Sequence, residues 1–173
     1  MDGFTLRHLV LALALSTSMG AAVAATSNDF VDNAAAGGIA EVEASKLALE
    51  KSASADIKTF ANMMITDHSK ANDELAAIAK KHDIKVPDST TLVKQAKEKI
   101  LDMRDESFDA AYANNQVKAH EETIELFKKE ADTVTDDRTA GATDLKAFAQ
   151  KMLPALEKHL SAAKELQAAH PSK

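Results

Sequence analysis

The chain has 173 residues, of which 21 are basic and 27 acidic, for a formal net charge of −6, and it contains no cysteine and no tryptophan. The lack of cysteine excludes both a disulfide framework and a thiolate metal site. A modest acidic balance spread along the chain argues against nucleic acid or an anionic membrane surface as partner.

Alanine, leucine, lysine and glutamate dominate, with only 5 glycines and 3 prolines. No stretch alternates apolar and polar residues long enough for a sheet, so the composition predicts an all-α fold. Residues 1–24 read as an export signal: Arg7 and His8, the apolar run from Leu9 to Leu15, then Ala22-Val23-Ala24 as the small-x-small cleavage pattern. That run is too short to span a bilayer, which takes about 20 residues. Cleavage is expected after Ala24 or Ala25, with delivery to the periplasm of a Gram-negative bacterium. The plainer alternative is an apolar first helix. No cysteine stands at the cleavage site to carry a lipid anchor, and no later segment is apolar enough for a membrane span in the mature chain. Residues 25–173 then form one domain of ordinary size.

The first helix is expected over 29–51, capped by Ser27 or Asn28, with Gly37-Gly38 inside it as a place of close approach. A second runs over 56–81 and is broken by the stretch leading to Pro87, which disfavours helical geometry at Val86. A third helical region begins at Asp88-Ser89, with a break allowed near residues 104–107, where Ser107 can cap a fresh helix over 108–131. A polar loop over 132–141 leads to a last helix over 144–167, with Pro154 inside it. A proline there bends the axis at a cost of about 3 kcal/mol; it is either a tolerated kink or a device that steers His159 one turn on. Asp56-Ile57-Lys58-Thr59-Phe60-Ala61 also resembles Asp144-Leu145-Lys146-Ala147-Phe148-Ala149, a short internal repeat. The expected architecture is a single antiparallel, up-and-down four-helix bundle.

Three histidines fall on the apolar stripes of these helices. His68 continues the series Ile57, Ala61, Met64, Ala71, Leu75, Ile78. His120 sits among Ala113, Val117, Ile124 and Phe127, and His159 among Leu145, Ala149, Met152, Leu156, Ala163 and Leu166. A neutral imidazole in a core needs a hydrogen-bond partner. One such histidine is ordinary core; three at matched depth on three helices point to a metal. On the first helix Glu41 lies at the same depth and is preferred as the inward carboxylate over Glu43, two residues away on the opposite side. Asp67 is a candidate orienter of a ligand imidazole, or else a solvated helix charge. Asp109 is a further candidate for polar contacts, or else a helix-capping residue.

The residues Gly37-Gly38-Ile39-Ala40-Glu41-Val42-Glu43, Phe60-Ala61, Asp67-His68-Ser69-Lys70-Ala71-Asn72, Val86-Pro87, Phe108-Asp109 with Tyr112, His120-Glu121, Leu153-Pro154 and His159-Leu160 together resemble a bacterial family of unknown function. The resemblance covers nearly the whole mature chain. It implies an exported, ferritin-like four-helix bundle, and it marks Glu41, Glu43, Asp67, His68, His120 and His159 as the family's polar positions. Members are often labelled outer membrane proteins, a label at odds with an all-helical chain that cannot form a barrel wall. The resemblance implies no reaction.

Di-iron chemistry in such bundles uses Glu-x-x-His on two helices. Here Ile65 and Leu156 stand three residues before His68 and His159, so a di-iron oxidase is disfavoured. Three histidines and one carboxylate suit a single borderline ion: zinc first, with copper, nickel or iron as the other candidates. Met64 and Met152 are expected as core filling rather than thioether ligands. No glycine-rich phosphate loop and no nucleophile elbow is present. The expected function is therefore metal binding in the bundle core, in metal handling or envelope stress. The alternative is a metal-free periplasmic interaction or structural module whose histidines are held by Glu41 and Asp109. The sequence names no protein partner and no oligomeric state.

Overall fold

Helix boundaries follow local capping chemistry. In the computed structural model, which describes residues 28–101, 107–134 and 141–172, five α-helices account for the regular structure. The expected export signal with its cleavage point, Ser27, most of the expected 104–107 break and most of the 132–141 loop lie outside the described residues. Helix α1 (Asp29–Lys51) is capped by Asn28, whose side chain accepts the Val31 N–H at 3.0 Å. Helix α2 spans Ala55–Lys81, and Asp83, at φ 53°, leads the chain out of it. Helix α3 (Ser89–Leu101) opens on Asp88, whose carboxylate accepts the Thr91 N–H at 3.0 Å. Helix α4 (Phe108–Asp132) is capped by Ser107, as expected, through the Ala110 N–H at 3.4 Å.

Helix α5 (Ala142–Ala169) starts at Gly141, whose φ of 73° suits a residue without Cβ; a Cβ there would also crowd the His82 ring at 3.1 Å. Pro154 lies within α5 on an exposed face, and the helix continues through it. The backbone group that proline leaves unpaired thus lies on the solvent side.

Four helices close a ring: α1 packs on α2, α2 on α5, α5 on α4, and α4 on α1. Each neighbour runs antiparallel. The early residue Phe30 meets the late Phe127, and Ser45 meets Tyr112, across α1 and α4. Lys81 pairs with Asp144, and Asp56 with His170, across α2 and α5. Consequently α2 and α4 point the same way across a diagonal, and α3 is the crossover between them, packed on α1.

The break allowed near residues 104–107 separates two helices, α3 and α4. One expectation is corrected: the order of directions is up, down, down, up rather than alternating. The cause lies in α3, which buries Leu92 and Ala96 against α1 and so returns the chain to the far end before α4 begins.

The core divides into two apolar clusters. One holds Phe30, Leu75, Ile124, Phe127, Leu145, Phe148 and Leu156. The other, at the opposite end, holds Ala48, Ile57, Phe60, Met64, Tyr112, Val117 and Leu166. Each large side chain so buried contributes about 1.5–3 kcal/mol. Met64 is core filling, and Met152 packs partly buried on the first cluster, as the stripes predicted. Along each helix, His68, His120 and His159 fall between the residues of the two clusters.

Candidate metal centre

A helix stripe sets only which way a side chain leaves its own axis. The ring of four helices then turns three stripes toward one point. His68 of α2, His120 of α4 and His159 of α5 are 7%, 1% and 3% exposed. Their ring centroids form a nearly equilateral triangle with sides of 5.5, 5.6 and 5.5 Å. One nitrogen from each ring lies within 4.8 Å of the other two.

Hydrogen bonding fixes which nitrogens face inward. The His120 Nδ1–H donates to the Gln116 carbonyl at 2.8 Å, which leaves Nε2 as a bare acceptor. The His159 Nε2–H donates to Asp67 Oδ2 at 3.0 Å, which leaves Nδ1 bare. His120 Nε2, His159 Nδ1 and His68 Nε2 are all buried without a hydrogen-bond partner. Burial holds all three rings below the ordinary imidazole range, His68 to about 3 and His120 to about 4; neighbouring histidines add to the shift of those two, and Lys158 to that of His159. For His159 the Asp67 carboxylate opposes that loss. All three are therefore neutral at pH 7, the form that ligates metal.

Glu41 of α1 was expected as a fourth ligand. It is the inward carboxylate, 5% exposed, yet it is not among the mutually close ligand atoms. Its neighbours are instead Gln116 and Tyr112. Burial pushes its carboxyl up to about 7, and the adjacent Gln116 side chain offsets this only in part; no bond of ordinary geometry joins the two, and Glu41 Oε2 has no partner. Glu43 is half-buried and pairs with Lys46 at 2.8 Å. Asp67 does orient an imidazole, that of His159 across the α2–α5 seam rather than its neighbour His68. Asp109 accepts the Ser54 hydroxyl at 2.7 Å and ties the start of α2 to α4. His159 is thus held by Asp67 and His120 by a backbone carbonyl, and neither Glu41 nor Asp109 holds the histidines.

Two residues at the site escaped the sequence analysis. Gln116 is fully buried one turn before His120, and its side-chain nitrogen and oxygen both lack partners. Its place at i−4 from a core histidine was the available signal. Asn72 lies one turn after His68, and Gly38 is the close approach that admits it: a Cβ at Gly38 would fall 2.0 Å from Asn72 Oδ1. Asn72, Gly38, Thr123 and His68 line a cavity of about 20 Å³, room for about one water.

Seven buried side-chain atoms lack partners among the described residues, and six of them belong to Glu41, His68, Gln116, His120 and His159. Leaving such an atom unpaired costs about 1–3 kcal/mol. Atoms of this kind concentrated in one layer call for a further partner, an ordered water or an ion.

No curated protein and no solved structure matches the chain. Residues 12–166 match the family described as Domain of unknown function (DUF4142), and the chain belongs to that family.

Proposed function

We propose that this protein is an exported, ferritin-like helical bundle that binds one transition-metal ion through His68, His120 and His159. The observation that carries the reading is the convergence of three buried, neutral imidazole nitrogens that lack any other partner. Two of the rings already have the outer support that metal-bound histidines use, a carboxylate on His159 and a backbone carbonyl on His120.

Zinc suits the donor set best, with copper, nickel and iron following. A tetrahedral zinc with bonds of about 2.0–2.1 Å needs its nitrogens roughly 3.3 Å apart, so loading draws the rings slightly inward. Three protein ligands leave a fourth position open for water or an exchangeable ligand, unlike a closed structural site. Ile65 and Leu156 occupy the positions that di-iron bundles give to glutamate, so dioxygen chemistry at paired irons is not part of this reading.

The test is elemental analysis of the mature protein purified from its native compartment, beside a His68→Ala, His159→Ala double variant. About one equivalent of metal, lost in the double variant, is the expected result. If the protein is metal-free and zinc, copper, nickel and iron neither bind nor raise the melting temperature, the imidazoles are a buried polar network in a partner-binding module.

A further inference from the structure

The four helices of the ring pair unequally. Helices α1 and α2, joined by residues 52–54, lie closely along one another, as do α4 and α5, while approach across the α1–α4 and α2–α5 seams is sparser. The bundle is thus two helical hairpins laid face to face. The triad is divided between them: His68 belongs to the first, His120 and His159 to the second. Each ring is nearly closed to water, and an apolar cluster stops the layer on either side along the bundle. The adjoining cavity of about 20 Å³ has room for about one water. A hydrated metal ion is larger than that, so the hairpins must part before an ion enters or leaves.

The two seams between the hairpins differ in what holds them. Across α1–α4 the links are buried: Ser45 Oγ and Tyr112 Oη lie 2.8 Å apart, and Phe30 meets Phe127. Helix α3 packs on α1 beside them. Across α2–α5 the outer edge is held by pairs that each have a member open to solvent. Lys151 meets Glu74 at 2.7 Å, and three Asp–His bonds run down the seam, Asp144–His82 at 2.8 Å, Asp67–His159 at 3.0 Å and Asp56–His170 at 2.9 Å. The two end pairs are equivalent, since the first-turn aspartate of each helix meets the C-cap histidine of the other. Surface pairs exchange their partners for water at little cost, whereas parting a buried hydrogen bond or buried rings is expensive. In the middle pair Asp67 is 45% exposed and His159 is 3% exposed. Among the described residues this is the one hydrogen bond by which the triad reaches an exposed side chain.

We propose that the α2–α5 seam is the door of the metal site. It parts while the α1–α4 side stays packed, admits the ion past Asp67, and is held shut by the bound ion, because only the closed form brings His68 to His120 and His159. The inference rests on the metal reading above and adds to it a route and a moving part.

The test uses the absence of cysteine from the chain. Glu74→Cys with Lys151→Cys, joined by a short bismaleimide, tethers α2 to α5 on the surface. Lys128→Cys with Glu157→Cys, whose native side chains lie 3.7 Å apart and are exposed, puts the same tether within the α4–α5 hairpin. The readout is the rate at which zinc passes between the metal-free protein and a chromogenic chelator, with circular dichroism to check the fold. The α2–α5 tether should slow both loading and release by about tenfold or more with little change in affinity, because it removes the open state from the ensemble. The hairpin tether, and the same cysteines capped singly with N-ethylmaleimide, should leave the rates unchanged. Asp56→Asn with Asp144→Asn, which loosens both end pairs, should speed loading by roughly fivefold. If the untethered protein takes up no zinc, the metal reading fails and the door with it. If it takes up zinc and the α2–α5 tether leaves the rates unchanged, or slows them no more than the hairpin tether does, the metal reading stands and the door is overturned.

Discussion

Two ring triads lie in this bundle, and they differ in chemistry more than in geometry. Phe30, Phe127 and Phe148 come from α1, α4 and α5, with centroids 5.1, 6.5 and 5.8 Å apart and edge-to-face or tilted contacts. His68, His120 and His159 come from α2, α4 and α5 at 5.5–5.6 Å with similar tilts. The phenylalanines gain dispersion and quadrupole attraction and leave nothing unsatisfied. The histidines bring the same packing and three bare nitrogens with it. Ring spacing therefore does not make a site. Unpaired lone pairs do.

Acid separates the two triads most strongly. The His68 and His120 rings have native values well below 6.5, so between those values and 6.5 the unfolded chain binds more protons than the native one. Their contribution is present above about pH 6.5 and is lost as pH falls toward 4, at up to about 1.4 kcal/mol per pH unit for each ring. Glu41 works the other way: its native value is raised from 4.5 to about 7, so its contribution is present below 4.5 and is lost as pH rises through 7. The metal-free protein should lose several kcal/mol by denaturant titration between pH 6.5 and 4. A flat profile would show the rings to be charged or exposed in solution. Replacing His68 and His120 by Leu should flatten the profile, and Phe127→Ala should not.

Phe127→Ala removes a buried ring from the aromatic triad and should cost about 3–5 kcal/mol by urea denaturation. Its sharper use is as a control, because the variant should still respond to zinc. Zinc at 100 times its dissociation constant should raise wild-type stability by about 2.7 kcal/mol, an increment that Phe127→Ala keeps and His120→Ala loses. Loss of the increment in both would mean that the two clusters are one cooperative site.

Asp67→Asn tests the outer support of one ligand. It should weaken zinc affinity about 10–100-fold in competition with a chelator while changing metal-free stability little, since Asp67 is half exposed. A larger loss of stability than of affinity would make Asp67 a structural strut. The smallest effect concerns the paired glycines. Gly37→Ala should stabilise by about 0.5–1 kcal/mol in thermal melts, as a helix interior gains from losing glycine. Gly38→Ala should lack that gain, because Asn72 must move aside.

The sequence by itself determined the helices and the inward direction of the histidines. Asn28 and Ser107 are caps because a short polar side chain can bond an N–H three residues on, a relation within one turn of chain. His68, His120 and His159 are buried because the 3.6-residue period fixes the angle at which each leaves its own axis. Matched depth along the helices was legible by counting. Only the tertiary structure decided the rest. The rotation and offset of each helix against its neighbours set Glu41 apart from the three imidazoles, although its own helix placed it inward at the right level. The packing of α3 on α1 reversed the direction of α4, and with it the partners across each seam. Asp67 reached His159 rather than its neighbour because α2 and α5 run antiparallel side by side, and Gln116 became part of the layer because the His120 ring turned back onto its carbonyl. Periodicity is a property of one helix. A site is a relation among several, set by how their surfaces interlock.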